Sequence, residues 1–159
     1  MEIRIATKDD LNEILKIYEY ARGFMAENGN PTQWKTNYPP IETVKNDIES
    51  KKLHLCIDNG KIACVFFYNE GIDPTYNVID GKWLNDKPYG VVHRVASAKG
   101  TRGAASFSLR WAFNKCQNLK IDTHENNIPM QSLLKKLGFS HCGTITLANG
   151  EPRWAYQKN

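Results

Sequence analysis

Tyr89-Gly-Val-Val-His-Arg-Val-Ala-Ser97, then Ala98-Lys-Gly-Thr-Arg-Gly103, then Ala104-Ala-Ser-Phe-Ser-Leu-Arg-Trp-Ala-Phe-Asn-Lys-Cys116 reads as a strand, a glycine-containing loop and a helix. Glycine lets a backbone turn sharply and approach a ligand closely. A helix start presents unpaired N–H groups and about half a positive charge. Together these features make a site for a phosphate group, and Arg102 adds a charged donor at its mouth. A plain loop capping a helix would show the same glycine content. No Gly-Lys-Ser/Thr follows, which excludes a Walker loop, and Gly-x-Gly-x-x-Gly is absent, which excludes the fingerprint of dinucleotide-binding sheets.

Working outward toward the N-terminus, residues 69–87 are polar and carry Gly71, Pro74 and Gly81. That length suits a functional loop better than a connector. Lys61 to Tyr68 and Leu53 to Ile57 read as strands joined by a hairpin turn at Asp58-Asn59-Gly60. Ile41, Val44 and Ile48 mark a short helix entered through Pro39-Pro40. Leu11, Ile14, Leu15, Tyr18 and Met25 share one helical face, and that helix ends near Asn28-Gly29-Asn30-Pro31. Thr7 and Asp10 form a helix-start box with Asp in place of Glu, and residues 2–6 alternate as a first strand.

Toward the C-terminus, Leu119 to Thr123 reads as a strand. Pro129 opens a helix through Leu137, which Gly138 stops. Phe139 to Leu147 and Arg153 to Tyr156 form a final hairpin about Asn149-Gly150. The order is β-α-α-β-β-β-α-β-α-β-β. This predicts an α/β (α+β) chain with a mixed sheet and helices on its faces. No repeat, low-complexity tract or linker divides the sequence, so residues 1–159 are expected to form a single domain.

Hydrophobic residues make up 41% and charged residues 24%, the balance of a soluble globular protein. No apolar run reaches the ~18 residues that span a membrane, and the charged start is unlike a secretory signal, so a cytoplasmic protein without membrane contact is expected. Cys56, Cys64, Cys116 and Cys142 form no Cys-x-x-Cys pair, and His54, His93, His124 and His141 show no zinc spacing with them, so no metal is expected. A net charge of +4 without Arg/Lys runs argues against nucleic-acid binding.

Two motifs carry a resemblance. Gly100-Thr-Arg-Gly103-Ala-Ala105 resembles the pyrophosphate loop Arg/Gln-x-x-Gly-x-Gly/Ala of the GNAT (N-acetyltransferase) superfamily, with Gly100 where that family has Arg or Gln. Asn127-Ile-Pro-Met130-Gln-Ser-Leu133-Leu134-Lys-Lys136-Leu-Gly138-Phe139 resembles the family pattern Asn-x-x-Ala-x-x-Leu/Phe-Tyr-x-Lys-x-Gly-Phe at its Asn, Leu, Lys and Gly-Phe positions. The chain is thereby identified as resembling a small, bacterial-type, single-domain GNAT protein. The resemblance implies a mixed, mostly antiparallel sheet with a splayed central strand pair, Val91 to Ser97 against Leu119 to Thr123. It implies acetyl-CoA as co-substrate, with backbone groups of Val95 and Ser97 on the pantetheine arm. Backbone N–H groups of Arg102, Gly103, Ala104 and Ala105, and of Ser106, are then expected on the pyrophosphate, and Asn127 at the pantetheine or the reacting end. A homodimer built through the last strands is compatible with such a fold.

The implied reaction is direct transfer of an acetyl group to a primary amine of a small molecule or peptide. It needs a base. Glu70, ending the third strand, and His93, on the central strand, are the candidates. Simple alternation puts His93, Val95 and Ser97 on one face and Arg94 on the other. Leu134 stands where many relatives have an acid tyrosine, which keeps open a catalytically weak or inactive CoA-binding protein acting as a sensor or interaction module. Trp34, Tyr38 and Tyr89 are expected in the acceptor pocket, with Phe24, Gln33, Tyr76 and Trp83 as further candidates.

Overall fold

Each strand reading above marks residues that can pair only if their apolar faces find cover, and the helices supply it. The computed structural model describes residues 1–159. Its elements are β1 (Glu2–Ile5), α1 (Leu11–Glu27), α2 (Ile41–Glu49), β2 (Leu53–Asp58), β3 (Lys61–Glu70), β4 (Asp80–Gly81), β5 (Gly90–Ser97), α3 (Ala104–Cys116), β6 (Leu119–Thr123), α4 (Ile128–Lys136), β7 (Ser140–Thr146) and β8 (Pro152–Lys158). They build one sheet of spatial order β1-β2-β3-β5-β6-β8-β7-β4. Every pair is antiparallel except β5 with β6. The expected order therefore holds with one addition, the two-residue β4 inside the long loop. No helix is long and apolar enough to cross a membrane.

Alternation along β3 divides the core. Val65 points to the side of α1 and α2, where Ile14, Tyr18, Val44 and Leu53 are buried. Phe66 points to the side of α3 and α4, with Val92, Leu109, Leu119 and Leu134. Burying each such side chain contributes about 1.5–3 kcal/mol. The capping box at Thr7 and Asp10 forms as expected, on a short 3-10 turn that leads into α1. Asp10 accepts the Thr7 N–H at 2.8 Å and both Arg4 guanidinium nitrogens at 2.8 and 2.9 Å, and the Arg4 bonds draw its carboxyl down to about 2.

The central pair separates. β5 and β6 are in register only at Gly90↔Leu119 and Val91↔Lys120. Between Phe67↔His93 and Val65↔Ala96, one residue of β3 faces two of β5, Arg94 and Val95. This is a β-bulge, and Arg94 takes the left-handed φ of 52°. The bulge corrects the simple alternation. His93 lies opposite Phe67 on the α1 side, whereas Val95 packs with the α3-side residues and Ser97 pairs with Cys64 there. His93 and Arg94 share one face; Val95 and Ser97 share the other.

The long loop is fixed near its middle by β4 against β7. Gly81 (φ 133°) and Gly143 (φ 151°) cross so closely that a Cβ on either would meet the other strand's backbone. Gly143→Ala is therefore expected to destabilise the protein by roughly 1–3 kcal/mol, seen as a lower midpoint in thermal unfolding. An unchanged midpoint would mean that the crossing is not tightly packed.

Candidate functional site

The separation of β5 from β6 opens a cleft of 630 Å³ that reaches both sides of the sheet, with Val92 and Val95 toward α3 and His93 and Arg94 toward α1. Its α1-side wall comes from the segment after α1, the start of the long loop and the turn between β7 and β8.

His93 is held between two carboxylates. Its Nε2 lies 2.7 Å from Asp73 Oδ2, and its Nδ1 lies 3.7 Å from Asp122 Oδ2. Asp73 caps the turn Pro74–Tyr76 by accepting the Thr75 N–H at 3.0 Å, and its own N–H donates to Tyr89 Oη at 2.9 Å. The bond to His93 pulls the Asp73 carboxyl below the usual carboxylate range, against the opposing effect of burial. Asp122 accepts the Tyr76 hydroxyl at 2.6 Å. Tyr76 is almost fully buried, and burial, reinforced by Asp122, pushes its hydroxyl well above its ordinary value, so it donates and does not ionise.

The bulge residue is braced on every side. Arg94 Nε and one guanidinium nitrogen donate to Asp47 at 2.8 and 3.0 Å. The other donates to Tyr38 Oη at 3.2 Å, and the guanidinium lies 4.6 Å from the centre of the Phe67 ring. Tyr18 donates its hydroxyl to the Arg94 carbonyl at 3.0 Å. A left-handed non-glycine residue costs on the order of 1–3 kcal/mol, and these contacts hold it there.

Further backbone donors continue from the cleft toward α3, where of this set only Val95 is among the cleft-lining residues. Ala98 N–H donates to Ala63 O at 2.9 Å, which directs the backbone groups of Ala96 and Ala98 to β3 and those of Val95 and Ser97 to the opened side. Gly103 caps α3 at φ 76° with no side-chain cap, and no acidic residue occupies the first turn. The N–H groups of Ala104, Ala105 and Ser106 have no partner within the helix. Arg102 is exposed beside them. This set of donors fits the phosphate groups and extended amide arm of CoA.

The remaining candidates are dispersed. Asn127 caps α4, accepting the Met130 N–H at 3.2 Å, and donates to Gln33 Oε1 at 2.9 Å in the cleft wall. Trp34 and Tyr38 line the cleft, Trp34 buried edge-on against Tyr18. Tyr89 lies behind Asp73, its ring 3.8 Å from Lys120 Nζ, and does not line the cleft. Tyr76 and Trp83 are in the cluster beneath it. Phe24 is half-exposed and lies outside the cleft. Glu70 is also outside: it follows Tyr68 by two residues, so alternation turns it toward α3, and it accepts the Tyr68 hydroxyl at 2.7 Å. Leu134 is fully buried in the core beneath α4. No group of three or more His, Cys, Asp or Glu side chains that could hold a metal ion is present.

Sequence reasoning missed Asp73, Asp122 and Asp47. Two signals were available. Asp73 precedes Pro74 in a helix-cap pattern, and Asp122 is a charge between the apolar Ile121 and a strand end at Thr123. Asp47 sits on a helix face and shows its role only through Arg94.

Comparison with solved structures gives the site a context. The chain is similar to a GNAT-family acetyltransferase from Streptococcus agalactiae 2603, with 33% identity, a TM-score of 0.90 and coverage of 99% of this chain and 94% of the other. It is similar to a protein from Staphylococcus aureus Mu50 assigned as an acetyltransferase, with 25% identity, a TM-score of 0.74 and coverage of 100% and 99%. A chain of the NatC complex, solved with Gag peptide and CoA, shares the fold at 14% identity and a TM-score of 0.64, covering 99% of this chain and 98% of that one. No protein-family model matches the sequence, and no curated protein sequence matches it.

The Asp73–His93 bond ties stability to pH. A carboxyl whose folded value is depressed contributes stability that is present above its unfolded value of about 3.9 and is lost as pH falls through the folded value. Wild-type unfolding free energy is therefore expected to drop more steeply below pH 4 than that of Asp73→Asn, measured by urea titration at stepped pH. Parallel curves would mean that Asp73 does not depend on His93.

Proposed function

Because this chain belongs to the GNAT family of acetyltransferases, we propose that it is an acetyl-CoA-dependent N-acetyltransferase that moves an acetyl group directly to a primary amine of a small molecule or peptide. The observation that supports this most is an imidazole held between two carboxylates in a cleft opened by the splaying of β5 from β6, on the strand that leads directly into the uncapped start of α3.

In this reading, the N–H groups of Gly103, Ala104, Ala105 and Ser106, with Arg102, hold the pyrophosphate, and Val95 and Ser97 pair with the pantetheine arm as an added strand. Bound there, acetyl-CoA supplies an activated acetyl thioester. His93 serves as the base. Asp73 accepts the Nε2 proton and so fixes the tautomer, leaving the Nδ1 lone pair to take a proton from the acceptor ammonium or from the attacking amine. Asp122, close to Nδ1, stabilises the imidazolium that results. The Val95 N–H faces the opened side, where charge develops on the acyl oxygen, and one such donor contributes about 3–4 kcal/mol where measured elsewhere. Glu70 has no part in this mechanism.

A second reading is favoured by Leu134, a core leucine that can donate no proton: a CoA-binding protein with little or no turnover. A thiol of pKa about 8.5 is a tolerable leaving group without an acid, so the leucine is compatible with catalysis.

Calorimetric titration with acetyl-CoA tests the cofactor. Binding is expected, and Gly103→Glu is expected to weaken it at least tenfold, because the left-handed backbone there strains any side chain and the new carboxylate stands beside the phosphate donors. Equal binding by the variant would place the cofactor elsewhere. His93→Gln should retain acetyl-CoA binding and lower kcat by about 10²–10⁴-fold. Binding with no acetyl transfer by the wild type would select the second reading.

A further inference from the structure

We infer that the acceptor is a cationic amine with no carboxylate beside the amine, and that Glu151 enforces this choice by occupying the cations of the cleft. The inference rests on the acetyl-transfer reading above and deepens it.

The charged side chains of the cleft divide into paired cations and carboxylates without a Lys or Arg partner. Its cations are Lys35, Arg94 and Arg153. Arg94 is committed to Asp47 through two bonds. Arg153, almost fully buried, donates to Glu151 at 3.2 Å and to the carbonyls of Gln33 and Pro152 at 3.3 and 2.9 Å. Lys35 Nζ lies 3.3 Å from the other Glu151 oxygen. One carboxylate thus engages two cations, and no cation is left over to receive an acid group of a ligand.

The anions are arranged oppositely. Asp73 and Asp122 have no Lys or Arg partner, and a single imidazole lies between them. With His93 neutral, that end of the cleft carries two negative charges. An ammonium is attracted there, and like-charge repulsion disfavours a carboxylate one carbon from the amine. Charged partners this close also act strongly on which ligand is excluded.

The test measures thiol release from acetyl-CoA with matched monoamine acceptors, isopentylamine against leucine and tyramine against tyrosine. Each pair differs by one carboxylate on the carbon bearing the only amine. The expected result is a kcat/KM at least tenfold higher for isopentylamine and tyramine. Glu151→Gln, which frees Lys35 and Arg153, is expected to narrow both ratios at least threefold. Equal or better use of leucine and tyrosine by the wild type overturns the inference. An unchanged ratio in the variant overturns the role of Glu151. Acetyl-CoA binding without thiol release to any of the four amines overturns the acetyl-transfer reading itself.

Discussion

One extra residue in β5 organises this molecule. At Arg94 two residues of β5 face one of β3, and the face of every later side chain on the strand is reversed. Without the bulge, His93 and Val95 would point to the same side. With it, His93 enters the α1-side half of the cleft while Val95 and Ser97 face α3. The bulged strand also leaves β6 after two paired residues, and that departure creates the cleft. The left-handed backbone at Arg94 is unfavourable for a side chain of that size. It persists because Asp47, Tyr38, Phe67 and Tyr18, from four different elements, hold the residue from four directions.

The long loop between β3 and β5 does the complementary work. It delivers Asp73 to His93 by way of a turn that Asp73 itself caps. Two devices keep it in place. Near its middle β4 crosses β7 at paired glycines. Toward its C-terminal end, Lys120 Nζ lies between the rings of Trp83 and Tyr89, 4.1 and 3.8 Å from their centres. Lys120 is nearly buried without a carboxylate partner, and burial draws its amine below the ordinary lysine value. The ring of Tyr89 that contacts it also bears the hydroxyl that accepts the Asp73 N–H. Loop anchorage and the orientation of His93 therefore share a side chain, which couples the stability of the loop to the geometry of the cleft.

Much of the fold was legible because it rests on local rules. The strand–loop–helix unit, the hairpin at Asp58-Asn59-Gly60, the box at Thr7 and Asp10 and the stop at Gly138 are each specified by residues within a few positions of one another. Gly103 was legible for the same reason, since a left-handed cap before an uncapped helix start needs glycine. Proximity to the loop suggests Glu70 as a base, whereas alternation from Tyr68 turns it toward α3 and out of the cleft. Tyr89, Tyr76 and Trp83, aromatic residues expected in the pocket, pack together beneath the loop.

The amino-acid sequence by itself determined the element order, the apolar faces and the glycine loop that leads into α3, because hydrophobic period, turn chemistry and helix capping act over short spans of chain. Only the tertiary structure decided which face His93 occupies and which carboxylates reach it. Asp73 is 20 residues before His93 and Asp122 is 29 after it. Their meeting depends on a bulge set by long-range packing and on an ion pair between α2 and β5. Such contacts leave no period in the chain, since each is fixed by the whole sheet closing around it.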